Sequence, residues 1–263
     1  MTPDERRSAL EAIAVEVSGC TRCPLHVGRT NAVPGEGHPD TEVVFVGEGP
    51  GFNEDQQGRP FVGAAGTLLN ELIKAIGWRR EDVYITNVVK CRPPGNRDPE
   101  PFEIEACAPY LRRQLEVLDP ALVVTLGRHS LQTFMPGTRI GQVHGTVRPV
   151  DPATGAGAAS VLAMYHPAAA LRQHGLRETM LDDMASAPQA LIDSRARRDG
   201  QTAQPPADQP AEAPVEPMPG PPPPSEAAPA FVAIPIVDQE PGELEPTAVG
   251  AIEQIPENQM ELF

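Results

Sequence analysis

The sequence predicts an α/β fold: a three-layer α/β/α domain around a central, mainly parallel four-stranded sheet, followed by a disordered C-terminal tail. Three observations predict it. Four short apolar runs rich in Val, Ile and Leu each close in a loop of Gly, Pro or Asn, the pattern of strands buried on both faces. Segments with helical apolar spacing separate these runs, and strands alternating with helices build a parallel sheet covered on both sides. Beyond about residue 194 the chain turns acidic and proline-dense with few aromatics, so it cannot bury enough apolar area to offset its ordering entropy.

In chain order, residues 1–19 read as a helix with Leu10, Ile13, Ala14 and Val17 at helical spacing, and CTRCPLHVGRT follows as a loop. The run Val43 to Val46 in TEVVFVGEGPG is the first strand, stopped by Gly and Pro. A helix from about Ala65 to Ile76 leads to the second strand in DVYITNVVKCRPP, ending at Asn87. The helical stretch 101–118 precedes a third strand in ALVVTLGRHS, and ASVLAMYHPAAAL holds a fourth, ending at His166. Ligands of such sheets bind beyond the C-terminal strand ends. The segments GEGPG, TNVVKCRPP, LGRHS and YHPAAA are therefore expected to form one site.

Charge and composition narrow the function. The net charge is −15, but 12 of the 36 acidic residues fall in 199–263, which holds no Lys or Arg. Residues 1–198 carry 24 acidic against 21 basic groups, a net of −3, so the folded part does not exclude a DNA partner. Only Lys74 and Lys90 offer amines, which argues against Schiff-base chemistry. No run approaches the length of a membrane span, and the charged, amphipathic N-terminus lacks the apolar centre of a signal peptide. The expectation is a cytoplasmic, nucleoid-associated monomer without a membrane partner.

Cys20 and Cys23 form a C-x2-C pair, and Cys91 and Cys107 are separated by fifteen residues. Disulfides are disfavoured in the cytosol, so the four point to metal ligation rather than to incidental buried thiols. Spacing alone admits zinc or an iron-sulfur cluster, because both accept four thiolates. With all four positions taken, the site reads as structural.

At the strand ends, Gly47, Gly49 and Gly51 let backbone approach a ligand closely or adopt positive φ, while Glu48, Glu54 and Asp55 add carboxylates. A phosphate-binding loop is disfavoured, since no Lys or Ser/Thr follows in the required pattern and carboxylates repel phosphate. Phe61, Asn87 and His166 each have an ordinary reading, as core ring, turn residue and structural histidine. Together they make a pocket with a stacking face, an amide able to read a base edge, a donor for an anion, and carboxylates able to handle water.

These residues resemble the family 4, iron-sulfur-containing uracil-DNA glycosylases. The match is collinear from about Cys20 to Leu191: C-x2-C, GEGPG with a following ED and GRPFVG, ITNVVKCRPPGNR, Cys107, LVVTLGR and YHPAA. The resemblance implies a four-iron, four-sulfur cluster on Cys20, Cys23, Cys91 and Cys107. It implies that Phe61 stacks on a flipped uracil, that Asn87 hydrogen-bonds its edge, and that His166 stands near uracil O2. Glu48 and Glu54 match the acidic positions associated with water activation, cation stabilisation and pocket shape. Gly47, Gly49 and Gly51 would bring backbone amides to the leaving base.

Leu171 and Arg172 read as a DNA wedge with a phosphate contact, or else as a helix start with a buried Leu. A related branch that crosslinks to uracil-DNA carries a KRRIH insertion and a histidine in place of the third cysteine. Cys91 is present here and residues 92–106 lack that insertion, which excludes the branch. Gly49 stands where alanine is common in the family, a change expected to be tolerated.

The chain ends QMELF. Gln259, Leu262 and Phe263 resemble the peptide by which bacterial repair proteins dock on the sliding clamp, with residues 195–258 as an acidic Pro-rich linker and 1–194 as the catalytic domain. Sixty disordered residues would give the peptide a reach of about 40 Å. An apolar island, Phe231 to Val237, has no assigned role. The expected activity is hydrolysis of the N-glycosidic bond of uracil in DNA. Its rivals are a non-catalytic iron-sulfur DNA-binding module recruited by the clamp, and a zinc-stabilised fold acting on free nucleotides.

Overall fold

The computed structural model describes residues 1–173 and 175–203. The peptide at Gln259, Leu262 and Phe263, the island at Phe231 to Val237 and all but the first residues of the 195–258 linker lie outside the described residues.

Six strands form one sheet: β1 (Glu36–Gly37), β2 (Val43–Gly47), β3 (Tyr84–Asn87), β4 (Leu122–Leu126), β5 (Val147–Pro149) and β6 (Ser160–Met164), in the order β1-β3-β2-β4-β6-β5. The four expected strands are its parallel centre, with Val44 opposite Tyr84 and Val123, and Val124 opposite Leu162. The expected count of four is extended by short antiparallel strands at each edge, β1 on β3 and β5 on β6.

Ten helices accompany the sheet among the described residues: α1 (Pro3–Ser18), α2 (Leu25–Gly28), α3 (Phe52–Gln57), α4 (Ala64–Ala75), α5 (Pro101–Leu118), α6 (Arg128–Phe134), α7 (Ile140–Val143), α8 (Pro167–Arg172), α9 (Gly175–Ala185) and α10 (Ala187–Ala203). Side chains alternate across each central strand. Val44, Val46, Val123 and Val161 pack with Ile13 and Val17 of α1 and with Leu111 and Leu115 of α5. Val43, Phe45, Val124 and Leu162 pack on the opposite face with Leu69 and Leu72 of α4 and with Met180 and Met184 of α9. These are the three expected layers.

Local signals account for the helix starts that frame the site. Thr2 and Glu5 form a capping box on α1, and Glu100 and Glu103 form one on α5, each with Pro at the first turn. The buried Glu103 carboxylate also pairs with Arg97 at 2.7 Å, which fixes the loop between β3 and α5.

The expected boundary at 194 falls inside α10, which continues to Ala203. Ion pairs carry it past the composition change: Arg195 binds Glu42, and Arg198 binds Asp119 at 2.7 Å. No described helix is long and apolar enough to cross a membrane.

Candidate active site and cysteine cavity

From β2 the chain passes to β3 on one side of the sheet and then to β4 on the other, so β2 and β4 flank the topological switch where such sheets bind ligands. A cleft of about 560 Å3 opens there, lined by Glu48, Gly49, Gly51, Glu54, Phe61, Asn87, His166 and Arg172, with Gly127 and Arg128 after β4. The four segments expected to converge do converge.

Asn87 ends β3 and is 1 % exposed, and its Oδ1 has no hydrogen-bond partner. A buried acceptor left unpaired costs about 1–3 kcal/mol. Gly47 explains how it reaches this position, since a Cβ there would stand 2.4 Å from Asn87 Oδ1 and 2.6 Å from the Phe61 ring. Of the two uses expected for the loop glycines, it is close approach that applies: none of Gly47, Gly49 and Gly51 has positive φ.

Phe61 does adopt the left-handed region, with φ 51°. That strain is held in place from three sides. Arg80 donates to the carbonyls of Pro60 and Phe61 at 2.6 and 3.2 Å while paired with Glu36. Gly66 allows the Phe61 carbonyl against α4, where a Cβ would stand 1.9 Å away. Glu54 Oε1 accepts from the Val62 and Gly63 amides, both at 2.9 Å, at the start of α4.

Glu48 and Glu54 therefore differ. Glu54 is committed to backbone amides, whereas Glu48 has only long contacts, its Oε2 lying 3.7 Å from His129 Nε2. Burial raises the Glu48 pKa above the usual carboxylate range, with Asp98 adding to the rise and His129 and Arg128 opposing it. Asp55 is turned away from the cleft and accepts from the Thr30 amide at 2.9 Å.

His166 caps α8, its Nδ1 accepting from the Ala168 amide at 3.1 Å. An accepting Nδ1 places the ring proton on Nε2. Burial, then the Arg172 charge, pushes its pKa down to about 4, so the imidazole is neutral at pH 7. Its ring stacks against Phe61 with centroids 5.6 Å apart. Leu171 is 48 % exposed at the end of α8, which rules out the buried helix-start reading.

Three contributors escaped the sequence reading. His129, whose buried Nε2 has no hydrogen-bond partner, stands 3.5 Å from Asp98 as well as near Glu48. Its only signal is its place in LGRHS, at a strand end. Asp98 pairs with Arg128 and belongs to the loop after β3. Arg80 is remote in sequence from the residues it holds, so no local pattern marks it.

The four cysteines converge on a separate small cavity beneath α1 and α5. N–H donors face the sulfurs: Arg29 Nη1 to Cys91 at 3.1 Å, the Lys90 amide to Cys107 at 3.3 Å, and the Arg22 amide to Cys20 at 3.5 Å. Burial pushes the Cys107 thiol up to about 11 and raises those of Cys23 and Cys91. Among the described residues, the only three ligand atoms within 4.8 Å of one another belong to Glu48, Asp98 and His129. Four thiolates lining one cavity are a donor set that suits zinc or an iron-sulfur cluster.

Comparison with known proteins agrees with this geometry. The family model described as "Uracil DNA glycosylase superfamily" matches residues 34–187. The type-4 uracil-DNA glycosylase of Sulfurisphaera tokodaii is 50 % identical over 181 residues, covering 66 % of this chain and 81 % of that protein. That of Thermotoga maritima is 47 % identical over 184 residues, covering 69 % and 94 %. A type-5 uracil-DNA glycosylase of Thermus thermophilus is more distant, 32 % identical over 157 residues and covering 48 % and 71 %. The chain belongs to the uracil DNA glycosylase superfamily and, within it, to the type-4 uracil-DNA glycosylases.

Proposed function

We propose that the strand-end cleft binds a uracil flipped out of DNA and that the chain hydrolyses its N-glycosidic bond, acting as a monofunctional uracil-DNA glycosylase that leaves an abasic site. The observation that carries this reading is the unpartnered, buried Asn87 Oδ1 in a cleft shared with Phe61, His166 and Glu48. Uracil presents a donor, N3–H, beside an acceptor, O4, and a side-chain amide complements that pair. Cytosine presents the reverse order. Flipping costs a few kcal/mol, least at a mispaired base such as uracil opposite guanine.

Bond cleavage makes the sugar cationic and the base anionic, so the site must serve both charges. Neutral His166 with its proton on Nε2 is a donor for uracil O2, and amides of the Gly47–Gly51 loop are further donors. Glu48, without a committed partner, is the group for the oxocarbenium-like sugar and the attacking water. Glu54 acts through backbone, holding the segment that presents Phe61 as a stacking face. Leu171 and Arg172 serve as wedge and phosphate contact. A non-catalytic DNA-binding module would have no use for a half-buried carboxylate beside an orphaned amide.

The cysteines Cys20, Cys23, Cys91 and Cys107 are proposed to hold a four-iron, four-sulfur cluster; their convergence on one cavity, with N–H donors facing the sulfurs, supports a thiolate-held group there. When bound, the cluster supplies structural cross-linking of the α1–α2 segment to the loop after β3, since no ligand position is left for substrate. Docking of Gln259, Leu262 and Phe263 on a bacterial sliding clamp, through a linker over 195–258, remains part of the proposal on sequence grounds.

The test is uracil release from a single-uracil oligonucleotide by anaerobically purified protein, with Asn87→Ala and Glu48→Gln beside wild type. Losses of about 10^2–10^3-fold are expected for each, with unchanged iron content. No release by iron-replete wild-type protein, with uracil-DNA still bound, would transfer the chain to the binding-module reading.

A further inference from the structure

Phe52 is 55 % exposed although it directly follows Gly51 of the cleft wall. The Arg92 guanidinium lies over its ring, 5.1 Å from the centroid. Arg92 is itself fixed by a 2.7 Å bond from Nε to Asn96 Oδ1, and Asn96 is another cleft residue. The pair thus belongs to the rim built by the loops after β2 and β3, while Leu171 and Arg172 belong to the rim after β6, on the far side of β4.

The state of the other arginines near these loops singles out this pair. Arg97 is paired with Glu103 and Arg128 with Asp98, and Arg29 is engaged by Cys91 and the Ser18 carbonyl. Arg92 has no carboxylate partner among the described residues, and Nε alone is engaged by Asn96, which leaves its terminal nitrogens for an anion.

We propose that Phe52 and Arg92 form a nucleotide platform: a base next to the flipped uridine stacks on Phe52, and Arg92 contacts the adjoining phosphate. An exposed aromatic ring beside a guanidinium whose terminal nitrogens are unengaged is the chemistry that recognises single-stranded nucleic acid without regard to sequence, because every base has a π-face. The rim's continuity with a cleft that takes DNA names the occupant. In a duplex the neighbouring base is held in its own pair and stack, so the platform favours uracil in single-stranded DNA. This inference rests on the glycosylase reading of the cleft.

Stacking of one base on an aromatic ring corresponds to roughly a 5- to 150-fold effect. Phe52→Ala is expected to lower kcat/KM about 10-fold on a single-stranded uracil oligonucleotide, mainly through KM, and by a clearly smaller factor on the duplex. Phe52→Trp restores the single-strand value. A scan of abasic spacers through the nucleotides flanking the uracil should reveal one position whose cost in wild type disappears in Phe52→Ala. Arg92→Gln should reduce the salt slope of single-strand binding by about one. Equal losses on both substrates, or a spacer scan identical in wild type and variant, would overturn the platform while leaving the glycosylase reading intact. Failure of wild type to release uracil at all would instead remove the reading beneath it.

Discussion

The cysteine cavity and the strand-end cleft lie four residues apart along one loop, from Asn87 to Cys91, yet they are built on opposite rules. In the cavity, N–H donors face the sulfurs, and apolar Val17, Leu25, Val89 and Ala106 line it beside Arg22, His26 and Lys90. In the cleft, Asn87 Oδ1 is left without a hydrogen-bond partner, and Glu48 has only long contacts, one of them to His129 Nε2, which itself makes no hydrogen bond. A satisfied polar set stabilises a fold, whereas an unsatisfied one is retained at a cost and marks where a ligand completes the bonding. Lys90 joins the two. Its fully buried Nζ bonds the Asn87 carbonyl at 2.8 Å and Gln114 Oε1 at 2.7 Å, while its amide faces Cys107.

The largest expected effect comes from breaking the satisfied region. Cys107→Ala should abolish iron binding and lower the unfolding midpoint by at least about 10 °C. Loss of a structural metal belongs to the few changes that exceed about 4 kcal/mol, and each kcal/mol moves the midpoint of a domain this size by about 2–4 °C. Iron content and thermal unfolding measure it. A colourless variant with the wild-type midpoint would show that the two regions are not divided into structural and catalytic.

A smaller effect should come from the charges around Glu48. In the proposed reaction its carboxylate serves only when ionised, and its pKa is raised, so activity should fall on the acid side as pH drops through a value above that of an ordinary glutamate. Asp98→Asn removes a neighbour that raises that pKa and frees Arg128, which lowers it. The acid limb of the pH–rate profile should therefore move to lower pH. His129→Gln removes a neighbour that lowers the pKa, and should move the limb the other way. Identical limbs in all three proteins would mean that Glu48 is not the group titrating.

How far each region was legible in the sequence follows from how its residues are recruited. The central strands were legible because Val43 to Val46, Leu122 to Leu126 and Ser160 to Met164 are buried on both faces, so every position had to be apolar or small. The edge strands β1 and β5 were not, since two or three largely exposed residues make no pattern. The reach of α10 to Ala203 was hidden because its terminal arginines bind Glu42 and Asp119, far away in the chain. Cysteine spacing and strand-end loops picked out residues that the fold brings together at the cavity and the cleft, but not the division between Glu48 and Glu54. That depends on which carboxylate meets the amides of Val62 and Gly63, a fact of three-dimensional approach.

The smallest expected effect tests where the two regions meet at the glycine loop. A Cβ on Gly49 would stand 2.7 Å from Val89 Cγ2, and Val89 is fully buried in the core that also carries the cysteines. Gly49→Ala is thus an overpacking change. Because the clash is with the end of one side chain and not with backbone, the cost should sit at the low end for such changes, about 1 kcal/mol. Thermal unfolding should register it, while uracil release stays within about threefold of wild type. Val89→Ala opens the space that the new methyl needs, so the double variant should be more stable than the two single costs predict, as contacting residues are non-additive. If Gly49→Ala instead abolished uracil release at an unchanged midpoint, the glycine would be serving ligand approach rather than packing, and the boundary between packed and ligand-completed regions would lie one residue pair further along the loop.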